Sequence, residues 1–233
     1  MIDNSDPWRF FARAWLAALA LSWTVGVIDA YSFQVYGVFT SNQAGKLVVL
    51  GTELPHNPQR AALAGLSLLG AVVGVAFATL IQRLLVKRQW LQVAVPMILM
   101  ILLIITASLL RHLADSPPQV LVPLTSAGLA GLATAVLRVP AVRGWITANT
   151  GAVLTTVHTI FQGPRAARAG GQPVQSAVMI TVGFLTGALA WGSGILGTND
   201  PSIPALIPTL LAVGIAIGNE IRSKTQTPDS GAG

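Results

Sequence analysis

The chain has no cysteine in its 233 residues, and only 9% of those residues are charged. Without thiols there are no disulfides, no thiolate metal sites and no palmitoyl or prenyl anchors. With so few charges the chain cannot be an ordinary soluble domain, in which about 25% of residues are charged. The patterns HExxH and GxSxG, a phosphate-binding loop and any clustered His/carboxylate set are also missing. The chain is therefore read as a non-enzyme with no catalytic residues, no metal site and no cofactor. Gly192-Ser193-Gly194-Ile195-Leu196-Gly197 formally fits the dinucleotide glycine pattern. It closes an apolar stretch, with no strand before it and no acidic partner at the expected distance, and so reads as a helix end.

Hydrophobic residues make up 53% of the chain, and its mean hydropathy is +0.67. Long apolar stretches cover 14–34, 61–86, 91–110, 120–137, 177–196 and 203–221. Most approach the ~20 residues that cross a hydrocarbon core of about 30 Å. The expected fold is an all-α integral membrane domain over 1–233, with about six transmembrane helices and short tails at 1–13 and 222–233. The first stretch follows Arg9 and Arg13. It is too long for a secretory leader, contains Asp29 and lacks a small-x-small cleavage site, so it is expected to stay as a span. The net charge of +6 reads as basic cytoplasmic loops and contact with anionic lipid headgroups, not as nucleic-acid binding.

Two shorter, more polar stretches, 37–54 and 144–162, interrupt the apolar pattern. Basic loops resist translocation, so Lys/Arg counts decide how these two thread. If all eight stretches cross, eight basic residues lie inside and five outside. If the two polar stretches dip in and return, eleven lie inside and only Arg60 and Arg111 outside. The second threading is favoured. It makes 14–110 and 120–221 inverted 3+3 repeats with one re-entrant or broken segment each, a plan recurrent among transporters. Aligning the halves brings Gly26 and Ala30 onto Gly131 and Ala135, Ser41 and Gly45 onto Thr147 and Gly151, and the pair Gly70/Gly74 onto Gly183/Gly187.

Asp29 is the only acidic residue well inside a predicted span, and an isolated carboxylate there must be paired, protonated or hydrated. Two readings stand: a proton or cation ligand lining a pathway, or a helix-end carboxylate holding the adjacent turn. Lys46, in the first dip, reads either as the ion-pair partner of Asp29 or as a substrate-binding cation. Thr40, Ser41, Asn42 and Gln43, with Thr147, Asn149 and Thr150 in the second dip, satisfy irregular backbone or contact a solute. Gly45 and Gly151 permit the turns. The candidate substrate-binding set is Asp29, Asn42, Lys46, Asn149 and Thr150.

Gly70/Gly74 and Gly183/Gly187 have the spacing of close helix packing. His158 reads as a packing residue or a pH-sensitive group. His56 and His112 fall in predicted outer loops and carry no specific signal. Trp8, Trp15, Trp90 and Trp145 are expected to anchor span ends at the cytoplasmic interface.

The run Val27-Ile28-Asp29-Ala30-Tyr31-Ser32-Phe33 through Gly37-Val38-Phe39, Asn42, Gly45 and Leu50-Gly51 resembles the YoaK-like family of small bacterial membrane proteins. Gly131-Leu132-Ala133-Thr134-Ala135, Arg138 and Thr150-Gly151 are similar to that family's second region. The chain departs from the family at Gln43-Ala44-Gly45-Lys46 and at Ala133-Thr134, where the family tends to carry Met-Thr-Gly-Asn and Gln-Asn. The resemblance implies about six spans and a bacterial inner-membrane location, and supplies no substrate. Together with the charge count it puts both termini in the cytoplasm. The expected function is transport or channelling of a small polar solute; the alternative is a non-catalytic membrane partner or assembly subunit. The lipid bilayer and such a solute are the expected partners, and a homo-oligomer is compatible with the sequence.

Overall fold

The computed structural model describes residues 14–85, 89–136 and 171–225, and every element among them is an α-helix. In chain order these are α1 (Ala14–Tyr36), α2 (Gln43–Glu53), α3 (Pro58–Leu84), α4 (Gln89–Ala114), α5 (Pro118–Val136), α6 (Gly171–Gly192) and α7 (Ser202–Thr225). The second polar stretch, with Thr147, Asn149, Thr150, Gly151 and His158, lies outside the described residues. So do Trp8, Trp145 and the side chains of Trp15 and Trp90.

Leu16–Tyr36, Pro58–Leu84 and Ala94–Ala114 are long and apolar enough to cross a membrane, and Val178–Gly192 and Ser202–Ile215 are shorter apolar helices. Leu69, Val72 and Val73 on α3, Leu102 and Leu109 on α4, and Leu185 and Leu189 on α6 are exposed. So much outward apolar surface is consistent with a membrane protein, because a soluble domain would bury it. α1 has apolar residues on every face, and Ala17, Ala18, Leu21, Val25, Val27 and Ile28 are all buried. A helix with no polar face belongs in the interior. Accordingly α1 sits between α6 and α7, in a core that Met97 and Met100 of α4 and Leu129 and Leu132 of α5 complete.

Glycines let the backbones meet. A Cβ on Gly70 or Gly74 of α3 would lie 2.2 or 2.1 Å from the carbonyl oxygens of Pro123 and Ala127 on α5. One on Gly183 or Gly187 of α6 would lie 2.5 or 2.2 Å from those of Leu19 and Trp23 on α1. Small-xxx-small packing therefore builds both pairs. In each pair the residue numbers rise together, so α3 runs parallel to α5, and α6 parallel to α1.

Gly128 meets Ile104 and Gly131 meets Met100, which makes α4 antiparallel to α5. Thr24 on α1 bonds the Ala205 carbonyl and Thr209 of α7, while Tyr31 meets Trp191 edge-on. The six long helices thus alternate in direction along the chain. α1, α4 and α6 end where α3, α5 and α7 begin, at what is here termed the Tyr36 end of the bundle.

Candidate functional site

A polar hairpin at the Tyr36 end descends between the helices. α1 stops at Gly37, whose φ of +70° suits the left-handed helix cap and whose N–H donates to Phe33 O at 2.9 Å. A non-helical limb then runs to Asn42. There Asn42 caps α2, its side chain accepting from Gly45 N at 3.1 Å. A Cβ on Gly45 would stand 2.6 Å from the Phe39 ring, so any larger residue there would displace that ring. α2 returns to the level at which the limb began. Arg60 fixes both ends, donating from Nε to Gly37 O at 2.8 Å and pairing through Nη1 with Glu53 at 2.9 Å.

The inner part of the hairpin reaches Ser67, seven residues along α3 from Arg60, which at 1.5 Å per residue is a depth of about 10 Å. Ser67 Oγ bonds Phe39 O at 2.8 Å and Ser126 Oγ of α5 at 2.7 Å. Val38, Val49, Leu63, Ala64 and Val122 form a small apolar core around it. The segment 37–53 therefore enters and leaves at the same end of the bundle.

Asp29 is 1% exposed and holds the limb. Its Oδ1 accepts from Thr40 N, Ser41 N and Thr40 Oγ1 at 2.8, 2.7 and 3.0 Å, and its Oδ2 accepts from Ser41 Oγ. Carboxylates are buried in this way when several donors converge on them. Of the two readings of Asp29, this geometry corresponds to the carboxylate that holds the turn.

Lys46 is fully buried. Its Nζ donates to Ser67 O at 3.3 Å, and among the described residues it forms no ion pair with Asp29. Thr40 and Ser41 occupy the carboxylate instead. The hairpin thus gathers Asp29, Asn42, Gly45 and Lys46, whereas Asn149, Thr150 and Gly151 fall outside the described residues.

Beside the hairpin lies a cavity of about 50 Å³ that sequence reasoning missed, lined by Tyr31, Ser32 and Tyr36 of α1, Thr40, Arg111 of α4 and Asp200 before α7, among others. Asp200 Oδ2 is bonded by His112 Nε2 at 2.7 Å and Ser108 Oγ at 3.0 Å, and its Oδ1 by Ser202 N at 2.9 Å and Ser202 Oγ. Burial opposes the charge on Asp200, but the bonds from Ser202, His112 and Ser108 outweigh burial and hold its carboxyl below the usual carboxylate value. Arg111 lies 4.7 Å over the Tyr31 ring and donates to Asn199 O at 3.3 Å.

A signal for this cluster was present in the sequence. Asp200-Pro201 before an apolar run is a helix-start pattern, and Arg111 is one of the two basic residues that the favoured threading leaves as exceptions. Both exceptions have local work, since Arg60 closes the hairpin and Arg111 caps the cavity.

No curated protein and no solved structure matches the chain significantly. Residues 17–218 match the model of a family described as a protein of unknown function, DUF1275. That match takes in all of the hairpin and the cavity, and the chain belongs to the DUF1275 family.

Proposed function

We propose that the protein is a membrane transporter or channel for a small polar solute, and that the solute passes the inner tip of the polar hairpin. Lys46 carries this reading. A fully buried ammonium with one hydrogen bond to a carbonyl is a costly way to fill space, and an apolar side chain of similar length would pack there at lower cost. Intramembrane ionisable groups by default mark solute or ion paths. Asp29 positions the limb, Asn42 starts the half-helix, and Lys46 faces the route. Asn149 and Thr150 are assigned to the same route from the sequence alone.

The wider architecture in this proposal is six spans in an inverted 3+3 repeat, with both termini cytoplasmic in a bacterial inner membrane, as the YoaK-like resemblance also implies. The alternating helix directions support it. So does the packing: the first helix of each half lies parallel to the second helix of the other, α1 with α6 and α5 with α3, through Gly183/Gly187 and Gly70/Gly74. The third helix of each half packs on the first helix of the other, α7 on α1 and α4 on α5. Exchanging the halves leaves these four contacts unchanged. Transporters of this kind bind solute where broken helices meet near the midplane.

The test is stopped-flow light scattering of proteoliposomes challenged with glycerol, urea, glycine and potassium nitrate. At least one solute should enter faster than into protein-free vesicles, and Lys46→Met should remove the difference while the protein still elutes as a folded species. Equal rates for all four solutes with and without protein would overturn the proposal. Copurification of a single stoichiometric partner would then favour the assembly-subunit reading.

A further inference from the structure

The hairpin does not account for the chemistry of the cavity beside it. Ser32 is 2% exposed and lines this cavity, and among the described residues its Oγ has no hydrogen-bond partner. A buried hydroxyl without a partner is unusual and calls for a reason. Arg111 is the cation of the lining, and among the described residues it forms no ion pair. One nitrogen is committed to Asn199 O and one face to Tyr31, which leaves other guanidinium N–H groups uncommitted, since the group carries five. Tyr31 and Tyr36 share a hydroxyl contact at 3.2 Å. Such a pair uses one of its two O–H hydrogens and leaves the other free.

The lining also contains the Asp200 carboxylate, but its oxygens are already engaged by His112, Ser202 N and the Ser108 and Ser202 hydroxyls, which also contact each other. It offers a cation little. In a lining otherwise largely apolar, with Ile28, Ile104, Leu121 and Val122 among its walls, the spare polar groups can therefore donate: an arginine, a tyrosine hydroxyl and an orphaned serine.

We propose that this cavity is a binding site for a small monovalent anion. Its volume of about 50 Å³ has room for about three to five water molecules, each needing about 10–15 Å³ of such space. That admits nitrate, formate or chloride. Arg111 supplies the positive charge, set against the Asp200 carboxylate of the same lining, whose oxygens its own donors already engage, and the planar guanidinium fork suits a planar oxyanion. Ser32 and the Tyr31/Tyr36 pair supply the remaining donors. The site is separate from Lys46, and the proposal does not depend on transport, because binding alone tests it.

The experiment follows the thermal unfolding of the full chain in detergent while sodium nitrate or formate replaces sodium gluconate at constant ionic strength. A saturable rise in Tm is expected with nitrate and formate. Arg111→Gln should weaken the half-saturating concentration about tenfold or more, the loss expected for one charge-assisted contact. Ser32→Ala should weaken it more modestly without lowering the Tm in gluconate. Lys46→Met should respond like the wild type. Identical Tm values in nitrate and gluconate would overturn the site, as would a wild-type response in both Arg111→Gln and Ser32→Ala. A response lost in Lys46→Met but kept in Arg111→Gln would also overturn it, by moving the anion to the hairpin. Should Arg111→Gln fail to fold, Ser32→Ala and Tyr31→Phe decide the matter by the same measure.

Discussion

Asp29 takes four hydrogen bonds from two consecutive residues, so its removal should be felt as lost stability before it is felt in any flux. Asp29→Asn exchanges one acceptor oxygen for a donor that faces the Ser41 hydroxyl, and bonds to a charged group contribute about 1.5–3 kcal/mol each. A loss of about 2 kcal/mol is expected, read from denaturant unfolding in detergent. Lys46→Met should act in the opposite sense, leaving stability unchanged or higher because a poorly paired buried charge is removed. A matching fall in both variants would mean that Lys46 is structural. Asp29, Asn42 and Lys46 were legible in the sequence as polar residues amid apolar ones. Their partners were not, because hydrogen-bond geometry at about 3 Å depends on where a loop farther along the chain comes to lie.

Asp200 gives a pH prediction. Its folded-state carboxyl titrates below the ordinary aspartate value of 3.8, so it contributes stability that is complete above that value and drains away as pH falls through the lower folded one. Asp200→Asn should therefore flatten the acid limb of a Tm-against-pH curve below about pH 4. Equal limbs in the two proteins would show that the Ser202 and His112 bonds do not favour the charged form.

Among the elements, the decisive contacts are glycine against backbone. Gly74→Val should push α3 away from the Ala127 carbonyl, and Gly187→Val should push α6 away from that of Trp23, because helix backbones cannot yield as a side-chain tip can. Each should lower stability by about 2 kcal/mol or more. A Cβ on Gly51 of α2 would meet nothing within 4 Å; Gly51→Ala should instead raise stability by up to about 1 kcal/mol through helix propensity. Differential scanning fluorimetry of the three variants checks the contrast. The spacing of Gly70/Gly74 and Gly183/Gly187 announced close packing. It could not say that each pair meets the first helix of the other half, since spacing specifies a face and not its partner.

At the scale of the whole molecule, the charge count and the helix directions bear on the same question by independent routes. One rests on the energetics of moving basic loops across a bilayer, the other on which helix ends meet. Because the chain lacks cysteine, single cysteines can report topology directly. Thr52→Cys and Leu113→Cys, both at exposed positions, should react with an impermeant maleimide from outside. Lys87→Cys and Arg143→Cys should react only after the inner face is opened. Outside labelling at either basic loop would overturn the inverted arrangement.

The sequence by itself determined the class of molecule, the approximate extents of its long helices and the polar character of the break at 37–54. Hydropathy, helix length and charge bias are sums over neighbouring residues, and a chain displays them before it folds. Only the tertiary structure decided that Asp29 grips Thr40 and Ser41 instead of Lys46, that Lys46 turns to Ser67, and that Arg111, Asp200, Tyr31 and Ser32 surround one cavity. Those groups come from separate elements, with Asp200 far along the chain from Tyr31 and Ser32, and no local pattern records which residues the packing of apolar helices will bring together.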